Sequence, residues 1–242
     1  MKALDLFCGA GGASRGLADA GFDVHGVDLR RIKQYPYAFT QADAMKVDLS
    51  GYDLIWASPP CQGYSVATQP RFRGQYKDFI PRLRNRLKAS GALYIIENVV
   101  GAPLRRPITL CGTMFGLGVI RHRLFEVNFP VSVPKHEKHA GTVITGEFVT
   151  VAGHGGVPSW TADARVKRGL DRYIPGEASL SRWNEAMGID WMLKKHLVQA
   201  IPPAYAALLG AAAAALLRRE RATRSGAGPR ISSNSAHLRA PR

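Results

Sequence analysis

A cysteine, Cys61, closes the stretch Tyr52 to Ser65, YDLIWASPPCQGYS, directly after two prolines. Pro59 and Pro60 remove two backbone donors and stop a strand, so Cys61 sits on a stiff turn at a strand's carboxyl end. Open α/β sheets bind ligands there. A thiol in that position can act as a nucleophile, although a lone cysteine also serves as a small buried hydrophobe. Glu97 follows the apolar run ALYII without a break. Burial raises the pKa of such a carboxylate and suits it to donate a proton or hydrogen bond to a bound ring; a satisfied strand-end acid would read the same way. Arg121 and Arg123, in the segment RHRLF, fall on one face of an extended chain by period two.

A second group of residues suits a nucleotide. Gly9, Gly11 and Gly12 crowd into the turn after the apolar stretch ALDLF and precede a helical pattern at Leu17 and Ala18. Strand, glycine turn and helix let a ligand approach the backbone and meet free amides. Phe22 to Val27 reads as a second strand that ends in Asp28, an acid placed to accept from ribose hydroxyls or to cap a loop. Asp43, after the short extended segment around Gln41, offers a third acid at a third strand end for an exocyclic amine, or a plain turn aspartate.

Positioning these side chains requires strands over residues 3–7, 22–27, 52–57 and 92–96 and one near 121–125. Helices are expected around Leu17, over Asp78 to Ser90 with a cap at Gly91, over 179–192 and over 199–217. The arginines of the 78–90 helix read as a solvated face. Gln62 to Tyr76, with Gly63, Gly74, Pro70, Arg71 and Arg73, reads as a basic loop able to close over a polyanion. Between Pro130 and Pro175 helical periodicity vanishes and Gly, His, Thr, Pro and Val increase, which indicates a small irregular β-rich insertion. The organisation expected is a core over 1–129, an insertion over 130–179, helices over 180–217 that complete the core, and a basic, disordered tail over 218–242.

Composition limits the partners. The chain has 242 residues, is 46% hydrophobic and carries a net charge of +15. Arg218 to Arg242 holds seven arginines and one glutamate, so +6 lies in the tail and +9 on the body. Such a balance points to a polyanion rather than a membrane. No long apolar run or cleavable signal pattern is found in the sequence. Cys8, Cys61 and Cys111 are odd in number and far apart, and lack the paired spacing of a zinc site or disulfide framework, so a cytoplasmic, metal-free monomer is expected.

DLFCGAGG, SPPCQGYS, ENV and RHR, in this order and on these elements, resemble the DNA cytosine-5 methyltransferase family. The resemblance covers 3–129 and about 180–209. It implies a Rossmann-like S-adenosylmethionine-dependent methyltransferase fold, a mixed and mostly parallel sheet flanked by helices. Carried over residue by residue, it implies that Cys61 attacks carbon 6 of a flipped-out cytosine, that Glu97 binds ring nitrogen 3 and the amine, and that Arg123 contacts the ring carbonyl. Arg121 stands near the nucleophile, where it and the turn amides favour the thiolate. For S-adenosyl-L-methionine it implies Phe7, Gly9, Gly11, Gly12, Asp28, Asp43 and Pro59; for the DNA substrate, Gln62, Ser65 and Asn98.

The sequence departs from the family pattern at Val119, where a glutamine usually precedes the paired arginines, at Gln199 in place of an asparagine, and at Leu29 in place of an aromatic. The insertion is also short for a target-recognition region. An RNA cytosine-5 methyltransferase and a catalytically weak DNA-binding relative are the alternative readings; GYS after PCQ is closer to the DNA branch.

Overall fold

Short apolar runs form the expected parallel strands in the computed structural model, which describes residues 1–66, 68–141, 148, 149, 151 and 179–225. The strands are β1 (Lys2–Leu6), β2 (Asp23–Asp28), β3 (Ala38–Gln41), β4 (Leu54–Ala57), β5 (Leu93–Asn98), β6 (Ile108–Leu110) and β7 (Arg123–Val127). They form one sheet in the order β3-β2-β1-β4-β5-β7-β6, in which β7 alone runs against its neighbours. This is the mixed, mostly parallel sheet that the family resemblance implies. The carboxyl ends of β1 to β5 lie along one edge. The reversal of β7 brings its first residue, Arg123, to that same edge.

Helices cover both faces, which is why β4, at the centre, is buried at all four positions. Alternation along each strand divides the core. Trp56, Ile95 and Phe125 pack with α1 (Gly12–Asp19) and α6 (Pro203–Arg224), while Ile55, Tyr94 and Ile96 pack with Leu83 and Leu87 of α3 (Ile80–Ser90). Gly91 closes α3 at φ 73°, as its position predicts. A third cluster joins Val119, Val149 and Val151 to Trp183 and Met187 of α4 (Leu180–Met187) and to Leu197 of α5 (Lys194–Leu197). Two short elements complete the described chain, α2 (Pro70–Arg73) in the basic loop and a 3-10 turn at Gly112–Phe115.

Three expectations change. The arginines of α3 are not all solvated: Arg84 is 5% exposed and forms a bidentate pair with Glu126 of β7, both contacts at 2.7 Å. Arg86 donates to the carbonyls of Ala44 and Val47. Long-range partners, invisible in a local pattern, decide their burial. Secondly, α6 continues to Arg224, so its end takes in the first seven residues of the expected tail, and Arg221 reaches Asp53 at 2.6 Å. Thirdly, β7 begins at Arg123, leaving Arg121 ahead of the strand rather than on its face. The tail beyond 225 and most of the insertion lie outside the described residues; residues 130–141 form no strand.

The tightest helix contact in this fold joins α1 to α6. A Cβ on Gly16 would lie 2.1 Å from the carbonyl oxygen of Pro203 and 2.6 Å from the amide nitrogen of Ala207. Alanine gains at most about 1 kcal/mol in helix propensity, but here it meets backbone that cannot rotate away. Gly16→Ala should therefore lose about 2 kcal/mol of stability in urea denaturation, the usual cost of overpacking; an unchanged or raised midpoint would contradict this packing.

Candidate functional site

The strand ends line one cleft of about 360 Å³. Phe7, Gly9, Gly12, Asp28 and Asp43 line one end, and Pro59, Cys61, Gln62, Glu97 and Arg123 the other. Ten of the residues singled out from sequence therefore share a cavity. Gly11, Ser65, Asn98 and Arg121 do not line it.

Nucleotide-type features sit at the turn after β1. Phe7 adopts φ 60°, a left-handed conformation that costs a non-glycine residue roughly 1 kcal/mol or more and gathers at functional sites. Gly9 follows at φ 53°, and the space its absent Cβ would take is open. Its amide donates to Oδ2 of Asp28 at 3.0 Å, while Oδ1 accepts from the amide of Arg30. Asp43 accepts from the amide of Met45 at 2.9 Å. Both acids are thus oriented by backbone donors and keep lone pairs for a ligand. Leu29, 64% exposed on the cleft wall, fills the position where an aromatic would offer a broader face. Gly11 supports the turn from behind, its amide bonded to the carbonyl of Cys8. Gly12 allows Ile201 to come close, since a Cβ there would lie 2.3 Å from the Ile201 carbonyl oxygen.

At the other end, β5 carries Glu97 as its next-to-last residue, 5% exposed, with Oε1 at 3.3 Å from Nε of Arg123. Register accounts for the meeting. Phe125 pairs with Glu97, and Arg123, two residues earlier on β7, occupies the same face. Burial raises the Glu97 pKa; Arg123, a hydrogen bond from Ser58 and Arg121 oppose this. Ser58 is itself oriented by the indole of Trp56 at 2.9 Å. Asn98 does not face the cleft: its amide donates to the carbonyl of Pro59 at 3.0 Å and steadies the turn that carries Cys61. Ser65 likewise packs on that turn, its amide bonded to the carbonyl of Cys61.

Cys61 is half-buried, whereas Cys8 and Cys111 are buried. Burial pushes the Cys61 thiol above its ordinary value, and Glu97 adds to this; Arg123 and Arg121 pull it down without cancelling the rise. Arg121 and the backbone hydrogen bond at Cys61 favour the thiolate as expected, but desolvation outweighs them and the net shift is upward. Arg121 is 6% exposed and spends its guanidinium on the carbonyls of Val151 and Val198, both at 2.8 Å. Its Nε has no hydrogen-bond partner among the described residues, and burial lowers its pKa to about 9. It clamps the segment before β7 and acts on the thiol only at a distance. Val119, in place of the usual glutamine, joins the apolar cluster and bridges to Val149.

Sequence reasoning missed Asp5, Phe79, Met192, His196 and Ile201, which also line the cleft, as does Gln199, noted above as a departure from the family pattern. Asp5 carried a visible signal: an acid inside the apolar strand ALDLF. It is 1% exposed and accepts from Ser14 at 2.5 Å, and burial raises its pKa to about 7. The expectation of no metal, built on cysteine spacing, overlooked histidines that the fold brings to Cys111: Cys111, His122, His136 and His139 converge away from the cleft. Among the described residues no helix is long and apolar enough to cross a membrane.

Residues 1–103 match the model of the family described as C-5 cytosine-specific DNA methylase, which bears out the resemblance over the motifs DLFCGAGG, SPPCQGYS and ENV. The type II methyltransferase M.AgeI of Thalassovita gelatinovora is 33% identical over 127 residues, with 42% of this chain and 28% of that protein covered, so the match spans well under half of that relative. Among solved structures, a protein described as a DNA modification methyltransferase encoded within a prophage (E. coli) superposes with a TM-score of 0.59 at 16% identity, covering 90% of this chain and 99% of that one. A mutant Spodoptera frugiperda DNMT2 superposes at 0.53 and 14% identity, covering 86% and 98%. At such identities these structures bear on the fold alone, and it is the Rossmann-like methyltransferase fold.

Two titrations check this geometry. Alkylation of Cys61 by iodoacetamide, followed by peptide mass spectrometry, should accelerate through a midpoint above that of a free cysteine thiol, and Glu97→Gln should move the midpoint down; a wild-type midpoint at or below the free value would contradict the burial. Asp5 holds its proton up to about pH 7 when folded and releases it near 3.8 when unfolded, so stability falls as pH rises between those values and stays low above. Asp5→Asn should therefore melt higher than wild type at pH 8, with the gap closing toward pH 4.

Proposed function

We propose that this chain, whose first 103 residues match the C-5 cytosine-specific DNA methylases, methylates carbon 5 of cytosine in DNA. The observation that carries this reading is a single cleft holding a half-buried thiol, a buried Glu97–Arg123 pair and, at its far end, a glycine turn with two strand-end acids. S-adenosyl-L-methionine fits that far end, where Gly9 leaves open space beside Asp28, Asp43 and Phe7; when bound, it supplies an electrophilic methyl group.

Cys61 must lose its proton before attack, and its raised pKa leaves only a minor thiolate fraction at neutral pH. Sγ bonds to carbon 6 of the cytosine and the ring electrons move toward carbon 5 and nitrogen 3. Glu97 is suited to stabilise that charge, because a buried carboxyl with a raised pKa can donate a proton to nitrogen 3 and accept from the exocyclic amine. Arg123 can hold the ring carbonyl while remaining paired with Glu97. Carbon 5 takes the methyl group, a base removes its proton, and the electrons return to expel Sγ. The target base must leave the duplex to enter so narrow a cleft. Arg71, Arg73 and Lys77, in the loop after Cys61, and a body charge of +9 suit phosphate contacts.

A DNA duplex carrying 5-fluorocytosine, incubated with protein and S-adenosyl-L-methionine, should accumulate a covalent adduct that maps to Cys61. Cys61→Ser should lose the adduct and retain cofactor binding. An adduct with fluorinated tRNA alone would move the substrate to RNA, and no adduct with either would favour a binding role.

A further inference from the structure

We infer that Cys111, His122, His136 and His139 form a structural zinc site at the root of the insertion. Their ligand atoms lie within 4.8 Å of one another, although the four residues span 28 positions and three separate segments. The hairpin supplies two of them. Leu110 of β6 pairs with Arg123 of β7, so Cys111 and His122, the next residue on each strand, meet at the end of that ladder. His136 and His139 come from the chain that leaves β7.

The distances suit a tetrahedral ion. Zinc takes thiolate at about 2.3 Å and imidazole at about 2.0–2.1 Å, which sets ligand-to-ligand edges of about 3.3–3.6 Å. Sγ of Cys111 lies 3.5 Å from Nε2 of His139, and Nε2 of His136 lies 3.1 Å from Nε2 of His139. The ring centroids of the three histidines are 5.0–5.3 Å apart, so the rings surround a common point.

Ligand type narrows the choice of metal. One thiolate and three imidazoles without a carboxylate exclude calcium and magnesium, which take oxygen ligands, and match a zinc site. Glu137, between the two histidines, pairs with Lys135 at 2.9 Å instead. Four protein ligands leave no open position, so the role is structural rather than catalytic. The site ties the 131–141 segment to the residue next to Arg123, whose Nη1 donates to the carbonyl of His122 at 2.8 Å. Zinc there would fix the direction in which the insertion leaves the core, independently of the chemistry in the cleft.

The untagged 242-residue chain purified without chelators should contain one zinc per chain by plasma mass spectrometry. After removal of the metal, cobalt(II) titration should produce the visible absorption of a tetrahedral ion and a near-ultraviolet thiolate-to-cobalt band. Cys111→Ser should lose the thiolate band, and His136→Ala, at an exposed position that leaves the core intact, should weaken cobalt binding at least tenfold. Absence of stoichiometric zinc together with no tetrahedral cobalt spectrum would overturn the site. So would a thiolate band that survives Cys111→Ser in the folded variant, or cobalt affinity unchanged by His136→Ala. All of these readings are independent of methyl transfer, so failure of the proposed activity would leave them standing.

Discussion

A carboxylate at the floor of a cleft governs much of this architecture. Glu97 is almost fully removed from water, and a lone buried charge costs several kcal/mol. The cost is offset by Arg123 and by the hydroxyl of Ser58, and each has its own support. Arg123 reaches Glu97 because β7 runs against the rest of the sheet and starts where β5 stops. Ser58 is fixed by Trp56, a fully buried residue of the central strand. Arg121, two residues before Arg123, anchors the incoming chain to two distant carbonyls, and Tyr205 of α6 donates to the Arg121 carbonyl at 2.6 Å. The electrostatic character of the cleft therefore rests on the same contacts that order the sheet edge.

On the other face of β7, Glu126 turns toward α3 and pairs with Arg84. Glu97 and Glu126 lie on opposite faces of the sheet, and each buried acid meets an arginine delivered by a different element. A buried pair of this kind adds little net stability but strongly penalises arrangements that leave one partner alone. The two pairs together favour one register for β5 against β7, since a slip of β7 by a single residue would turn both Arg123 and Glu126 to the opposite faces and break both pairs.

Much of this was legible in the sequence. Short apolar runs with glycine or proline at their ends mark β1, β2, β4 and β5, and acids just beyond those runs mark the cleft, because a parallel sheet collects its strand ends on one edge. Local patterns could not reveal partners far away in the chain. Arg84 reads as one of several surface arginines until Glu126, 42 residues later, is opposite it. Arg121 and Arg123 look equivalent by spacing, yet the strand begins between them, so one lines the cleft and the other is a clamp. The Cys111 cluster has no local signature, because its ligands come from three separate segments and only the antiparallel hairpin makes neighbours of positions 111 and 122.

The roof of the glycine turn comes from residues distant in the chain. The indole of Trp191 donates to the carbonyl of Ala10 across 181 positions, and Ile201 and α6 press on Gly12 and Gly16. β1 and α1 are made well before the residues that form that roof, so it closes only after Trp191, Ile201 and α6 have been added. Until then the side of α1 that packs on α6 lacks its cover, and the turn at Gly12 lacks the backbone that presses on it.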